Sequence, residues 1–61
     1  MIELTRLNKT KFILNCDMIE IVEATPDTVI TLRNGKLYIV QEPPGEIVDK
    51  VVAFKKKTFG A

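Results

Sequence analysis

The sequence predicts an α+β domain, in which a small antiparallel β-sheet of about five strands precedes one C-terminal α-helix. Short runs rich in β-branched and aromatic residues alternate with turn residues along the first two thirds of the chain. Asn34-Gly35 separates two of these runs, which is a strong hairpin signal. After Pro43-Pro44-Gly45 the apolar spacing becomes that of a helix. This order of signals predicts two hairpins, a strand that links them and a helix.

The first hairpin is predicted to consist of strands 2–7 and 11–16, joined by Asn8-Lys9-Thr10. Side chains alternate between the two faces of a strand. This alternation places Ile2 and Leu4 on the apolar face of the first strand. The matching residues of the second strand are Phe12, Leu14 and Cys16.

A third strand is predicted at 18–24, with Ile19 and Ile21 sharing a face. The same residues could form a short helix, but β-branched side chains and the nearby Pro26 favour a strand. Thr25-Pro26-Asp27 marks the corner that follows, with Pro26 and Asp27 as structural turn residues.

The second hairpin is predicted to join strands 28–33 and 36–41 through a two-residue type I′ turn. Asn34 and Gly35 supply the positive φ angles that this turn requires. The resulting register pairs Ile30 with Ile39 and leaves Tyr38 on the opposite face. Because both strands are apolar on two faces, they are expected to be covered twice, which favours self-association of so short a chain.

The helix is predicted at about 45–57. Glu46 and Asp49 lie near its N-terminus and three lysines near its C-terminus, which suits the helix dipole. At 100° per residue, an apolar stripe forms for packing against the sheet. Its members are Ile47, Val51 and Phe54.

A second set of helix residues adjoins that stripe and is a candidate partner or self-association surface. The set comprises Val48, Val52, Lys55 and Phe59. The alternative is that the whole apolar arc faces one internal core. The Lys55-Lys56-Lys57 run could contact anionic lipid, although a helix C-terminal charge explains it more simply.

Composition limits the chemistry. The 61 residues suit one domain, the formal net charge is +1, and histidine is absent. Serine is also absent, so a Ser-His or Cys-His catalytic pair is excluded within one chain. Neither a zinc spacing nor a phosphate-binding glycine loop occurs, and we expect no enzymatic activity, metal, cofactor or small-molecule substrate. The single Cys16 is expected to be a small buried hydrophobe, with a reactive or intermolecular thiol as the alternative.

The N-terminal residues carry several charges, and no apolar run is long enough to span a bilayer. We therefore expect a cytoplasmic protein.

A basic and aromatic cluster at one hairpin end is a candidate surface for single-stranded RNA. It consists of Arg33, Lys36 and Tyr38. The balanced net charge argues against general nucleic-acid binding.

Three segments carry a resemblance to a known family: Leu4-Thr5-Arg6-Leu7-Asn8, Thr25-Pro26-Asp27-Thr28 and Asn34-Gly35. With these, the chain resembles the small flagellar FlbD family, also called SwrD. The resemblance is close over about the first two thirds of the chain and general thereafter. The chain departs from the family pattern at Lys9, where glycine is expected after Asn8, and its Pro43-Pro44 pair is unusual.

The resemblance implies a non-enzymatic accessory protein of the bacterial flagellum, associated with swarming motility and with the power of the motor. It implies protein–protein contact with the stator or another basal-body protein, at the inner face of the membrane. A homo-oligomer is expected from the excess of apolar faces. The alternative from another class is a small RNA-binding regulator of flagellar gene expression.

Overall fold

In the computed structural model of the chain, the backbone of residues 1–59 and the side chains of residues 1–57 are described. The predicted α+β class is confirmed: five strands form two antiparallel sheets, and one helix follows them. The strands are β1 (Ile2–Thr5), β2 (Lys11–Leu14), β3 (Ile19–Ala24), β4 (Thr28–Leu32) and β5 (Leu37–Val40), and the helix is α1 (Pro44–Phe59).

Hairpin 1, formed by β1 and β2, has the predicted inner face. Ile2 pairs with Leu14 and Leu4 pairs with Phe12. Cys16 does not extend β2 as predicted, because the Asn15 side chain accepts a hydrogen bond from the Asp17 N–H at 3.0 Å and starts a 3₁₀ turn, Cys16–Met18. Cys16 is nevertheless buried, as predicted.

The third predicted strand is confirmed as β3, which pairs antiparallel with β4. The register shifts between Ile19 and Ile21, so that a bulge lies at Glu20. The prediction that the two isoleucines share a face was therefore wrong. Ile19 packs against the core, whereas the Ile21 side chain is 47% exposed.

Hairpin 2, formed by β4 and β5, occurs where Asn34-Gly35 predicted it, but the register is shifted by one residue. Ile30 pairs with Tyr38, and Val29 pairs with Ile39. The predicted pairing of Ile30 with Ile39 was wrong. Because side chains alternate along a strand, this shift turns Tyr38 inward and Ile39 outward.

The geometry of the loop explains the shift. Gly35 has φ of 88°, but Asn34 does not lie in the left-handed region that a type I′ turn requires. The Gly35 N–H donates to the Leu32 carbonyl, and the Leu32 N–H donates to the Lys36 carbonyl, both at 2.9 Å. The connection is therefore a three-residue loop, in which a type I turn is followed by a glycine bulge. It contains Arg33, Asn34 and Gly35.

The two hairpins meet where β1 ends beside the end of β5. Arg6 and Val40 form a single antiparallel bridge, and the Gln41 N–H donates to the Thr5 carbonyl at 2.8 Å. On the other side, the Arg33 N–H donates to the Met18 carbonyl at 2.8 Å. The five strands consequently surround one core.

Helix α1 covers this core and begins one residue before the predicted range, at Pro44. Proline suits this position because the first helical N–H has no partner within the helix. Ile47 is 1% exposed, and Val51 and Phe54 pack against the core, as the predicted stripe required. The buried hydrophobic residues are Ile2, Leu4, Leu14, Cys16, Ile30, Leu32, Val40 and Ile47.

Candidate functional site

The three-stranded sheet has a face turned away from the core, which we call the outer sheet face. Across the strands, Ile21 lies opposite Thr31, which lies opposite Leu37. In the adjacent row, Glu23, Val29 and Ile39 are neighbours. The side chains of Leu37, Ile39 and Ile21 are 62%, 46% and 47% exposed. A contiguous set of large apolar side chains is thus open to solvent, and such patches mark interaction surfaces.

The corresponding face of hairpin 1 differs in chemistry. Its outward residues form two cross-strand pairs, Glu3 with Ile13 and Thr5 with Lys11. Ile13 is 63% exposed and is the one apolar member of these pairs. A single exposed isoleucine among polar neighbours is common on protein surfaces. The apolar patch therefore belongs to the sheet built on hairpin 2.

Helix α1 presents a second exposed surface, which we call the helix stripe: it consists of two apolar side chains, Val48 and Val52, and of Lys55. Val48 is 58% exposed and Val52 is 46% exposed. The alternative of one wide internal face is therefore excluded for these two valines. Phe59, the fourth predicted member, has a side chain outside the described residues. The Lys55 Nζ lies 3.9 Å from an Asp17 carboxylate oxygen, and both side chains are mostly exposed.

An apolar groove runs beside the helix stripe, between α1 and β3. Its volume is about 270 Å³. Ile19 and Val22 line it on the strand, and Val48, Val51 and Val52 line it on the helix. The groove extends the apolar area of the stripe toward the sheet. Sequence periodicity identified the valines, but the strand wall depends on how the helix is docked.

Tyr38 does not share an open surface with Arg33 and Lys36, the other two residues of the predicted RNA surface. Its ring is half-buried and stacks on Phe12, with centroids 5.2 Å apart and planes inclined by 27°. The Arg6 guanidinium lies 4.2 Å from the Phe12 centroid, on the same cluster. Arg33 and Lys36 remain exposed in and beside the loop. The stack links the two hairpins, and the wrong register prevented its prediction.

Glu42 is a residue that the sequence analysis missed. Its carboxylate accepts hydrogen bonds from the Thr5 N–H at 2.9 Å and from the Thr5 hydroxyl at 2.8 Å. Burial raises the pKa of Glu42, but these hydrogen bonds, with a smaller contribution from the charge of Lys50, hold it below its ordinary value. The carboxylate therefore fastens β1 to the segment that joins β5 to α1.

The four predicted turn residues occupy loops. Pro26 and Asp27 lie between β3 and β4, and the Thr25–Pro26 peptide bond is cis. Asn34 Oδ1 accepts a hydrogen bond from the Lys36 N–H at 3.1 Å, which fixes the loop before β5. Gly35 follows with its positive φ. Asn34 and Gly35 thus set the register of β5 against β4, and this register exposes Leu37 and Ile39.

Among residues 1–59, no three His, Cys, Asp or Glu side chains are grouped so that they could hold a metal ion. No helix in the described part of the chain is long and apolar enough to cross a membrane. The features that the fold brings together are two exposed apolar surfaces. Their chemistry is that of association with another apolar surface.

The family model FlbD, described as flagellar and swarming motility proteins, matches residues 1–59. Searches of curated proteins and of solved structures find no match.

Proposed function

The chain belongs to the FlbD family of flagellar and swarming motility proteins, and on this premise we propose that it is a non-enzymatic accessory protein of the flagellar motor. In this proposal it acts in the cytoplasm, at the inner face of the membrane. It supports the power of the motor by contacting the stator or another basal-body protein.

The outer sheet face carries this proposal. Leu37 and Ile39 lie on β5, and their exposure is set by a hydrogen-bonded loop. A contact made by such a face requires little reordering of the backbone, which lowers the entropic cost of binding. Burial of each half-exposed side chain contributes on the order of 1 kcal/mol. Together with Ile21 and Val29, these side chains supply the apolar centre of a contact, to which polar contacts at its rim must add.

The test uses a strain that lacks the gene, complemented with variants, and measures motor torque on a load-bearing bead together with swarming. The double variant Leu37→Thr/Ile39→Thr removes apolar area and retains residues that favour strands. We expect it to fold, to accumulate normally and to fail to restore torque.

The matched control is Ile13→Thr, which removes one exposed isoleucine from the outward side of hairpin 1. We expect this variant to restore torque fully. Full torque with the double variant, at normal cellular amounts of protein, would refute a role for the outer sheet face. Unchanged torque in the deletion strain would refute the motor role itself.

A further inference from the structure

Helix α1 has the features of a self-association element. Val48, Val52 and Lys55 follow the spacing of a narrow seam between two packed helices. Val48 and Val52 are exposed, although the residue before each contacts the core: Ile47 is 1% exposed and Val51 packs against the core. One side of the helix therefore packs on the core, and an adjoining apolar side is left open to solvent.

The charged residues beside this seam favour a second copy of α1 as its partner. Asp49 and Lys56 are two helical turns apart, so they lie on the same flank of the stripe. The point midway between Asp49 and Lys56 along the helix lies next to Val52. If a second helix runs antiparallel about this point, Asp49 of each copy approaches Lys56 of the other. In a parallel two-fold pair, the flank that carries Asp49 and Lys56 would lie on opposite sides of the seam in the two copies, so these charges would not meet.

From this charge complementarity, we propose that the protein forms a two-fold symmetric dimer, in which α1 of one copy packs antiparallel against α1 of a second copy. Val52 packs against Val52 of the partner copy at the centre. The aliphatic parts of Lys55 and Lys56 cover Val48 of the partner copy. The macrodipoles of the two helices are also opposed, with Glu46 in the first turn and Lys56 in the last turn of each.

The size of the surface sets the strength of this dimer. The sixteen residues of α1 span about 24 Å. The chain exposes 4288 Å² in all, and a standard interface of about 800 Å² per partner would need nearly a fifth of it. One helix seam with the adjacent groove provides less, so the dimer is weak and forms as the concentration rises.

The dimer deepens the proposed function, on which its biological meaning rests. Helix α1 lies on the core side of the sheet, whereas the outer sheet face points away from the core. Both surfaces can therefore be occupied at the same time. A dimer would present two outer sheet faces to the motor, and two linked contacts bind more tightly than one.

The experiment measures absolute mass by light scattering, across a concentration series, for the full chain and for charge variants. The wild type is expected to pass from monomer to dimer. Asp49→Lys and Lys56→Asp each replace two attractive contacts by repulsive ones, and each should raise the dissociation constant about tenfold. An equimolar mixture of the two variants should form a heterodimer, since every flank contact is then attractive. The double variant Asp49→Lys/Lys56→Asp should dimerise as the wild type does.

Lys57→Asp is the matched control, because it reverses the same charge away from the seam, and it should leave the dissociation constant unchanged. A wild type that stays monomeric at high micromolar concentration would overturn the proposal and assign the stripe to a different protein. A dimer that is insensitive to Asp49→Lys and Lys56→Asp would overturn the antiparallel α1 contact. If a charge variant that stays monomeric restores torque, the dimer has no part in motility, and the proposed function is unaffected. If the wild type forms the dimer but deletion of the gene leaves torque unchanged, the proposed function is refuted and the dimer is not.

Discussion

The two hairpins have the same loop and different outer surfaces. In hairpin 1 the Lys9 N–H donates to the Arg6 carbonyl, and in hairpin 2 the Gly35 N–H donates to the Leu32 carbonyl, each at 2.9 Å. In both loops an asparagine side chain accepts a hydrogen bond from the backbone N–H two residues later. The third loop residue has positive φ in both, 72° at Lys9 and 88° at Gly35.

The difference at this third position shows what the loop requires. The family pattern led us to expect glycine at Lys9, and the backbone there is indeed left-handed. A residue with a Cβ is strained in this region, but a single such residue is tolerated when the surrounding hydrogen bonds hold it. The loop thus requires the conformation, and glycine is the residue that adopts it at least cost.

The outer surfaces of the two hairpins differ in polarity. Equal loops give both hairpins an equivalent alternation of inward and outward side chains. Outward positions are mainly polar on hairpin 1, whereas Val29, Leu37 and Ile39 are outward on hairpin 2. The core does not account for this difference in outward residues, because the inward residues of both hairpins contribute to the same core. The apolar outer residues of hairpin 2 are therefore the ones on which the proposed contact rests.

The largest loss of stability is expected from removing the hydrogen bonds that join hairpin 1 to the segment after hairpin 2. Glu42→Ala removes two hydrogen bonds to a charged acceptor, and unfolding free energy should fall by about 2 kcal/mol. Urea denaturation measures this change. Glu3→Ala, on the outer side of hairpin 1, is the control and should change stability by less than about 0.5 kcal/mol.

The Glu42 carboxylate should also make the stability of the fold depend on pH. Because the pKa of Glu42 is lowered in the folded protein, its stabilisation is present above the ordinary carboxyl pKa of the unfolded chain. It is lost as the pH falls through the lowered value. Denaturation of the wild type at a series of acidic pH values should show this loss, and Glu42→Ala should lack that component. Parallel pH profiles for the two proteins would contradict the assignment.

Gly35→Lys makes the two loops alike in their third residue. No heavy atom lies within 4 Å of a Cβ added at Gly35, so the cost is conformational and not steric. We expect a loss of about 1–2 kcal/mol in unfolding free energy. Gly45→Ala, in the first turn of α1 with equal space around it, should be neutral or stabilising. An equal loss for both changes would mean that the positive φ is unimportant.

Asn8→Ala and Asn34→Ala test whether the shared asparagine bond has the same value in both loops. Each should cost about 1 kcal/mol, because each removes one hydrogen bond to a backbone N–H. Thermal and urea denaturation of the two variants should agree closely. Values that differ severalfold would show that the loops are alike in geometry only.

The smallest expected effect is that of Lys9→Gly, which gives hairpin 1 the glycine of hairpin 2. Relief of strain is partly offset by the greater freedom of glycine in the unfolded chain. We expect a gain of about 0.5 kcal/mol, measured by urea denaturation. Destabilisation by this change would indicate that the Lys9 side chain stabilises the loop in another way.

Much of this fold could be predicted from local pattern. Ile2, Leu4 and Leu14 lie on the inner face that alternation predicted, and Ile47 lies on the stripe that helical spacing predicted. Asn34-Gly35 located hairpin 2 correctly. It did not determine the register, because the same dipeptide suits both a two-residue type I′ turn and a three-residue loop with a glycine bulge.

The remaining features depend on contacts between elements distant in sequence. The Thr5–Glu42 hydrogen bonds and the Phe12–Tyr38 stack both join hairpin 1 to later segments. No local pattern specifies such docking. For the candidate site, the exposed valines of α1 were identified from the sequence, whereas Leu37 and Ile39 became a surface only once the register was known.

The outer sheet face depends on the register of hairpin 2, which nuclear Overhauser effects between Hα protons measure directly in solution. Residues opposite each other in non-hydrogen-bonded pairs have close Cα atoms, about 4.5 Å apart. The observed register predicts strong Hα–Hα contacts between Val29 and Ile39 and between Thr31 and Leu37. Contacts between Ile30 and Ile39 and between Leu32 and Leu37 would instead indicate the two-residue turn. That result would turn Ile39 inward and remove the outer sheet face on which the proposed function depends.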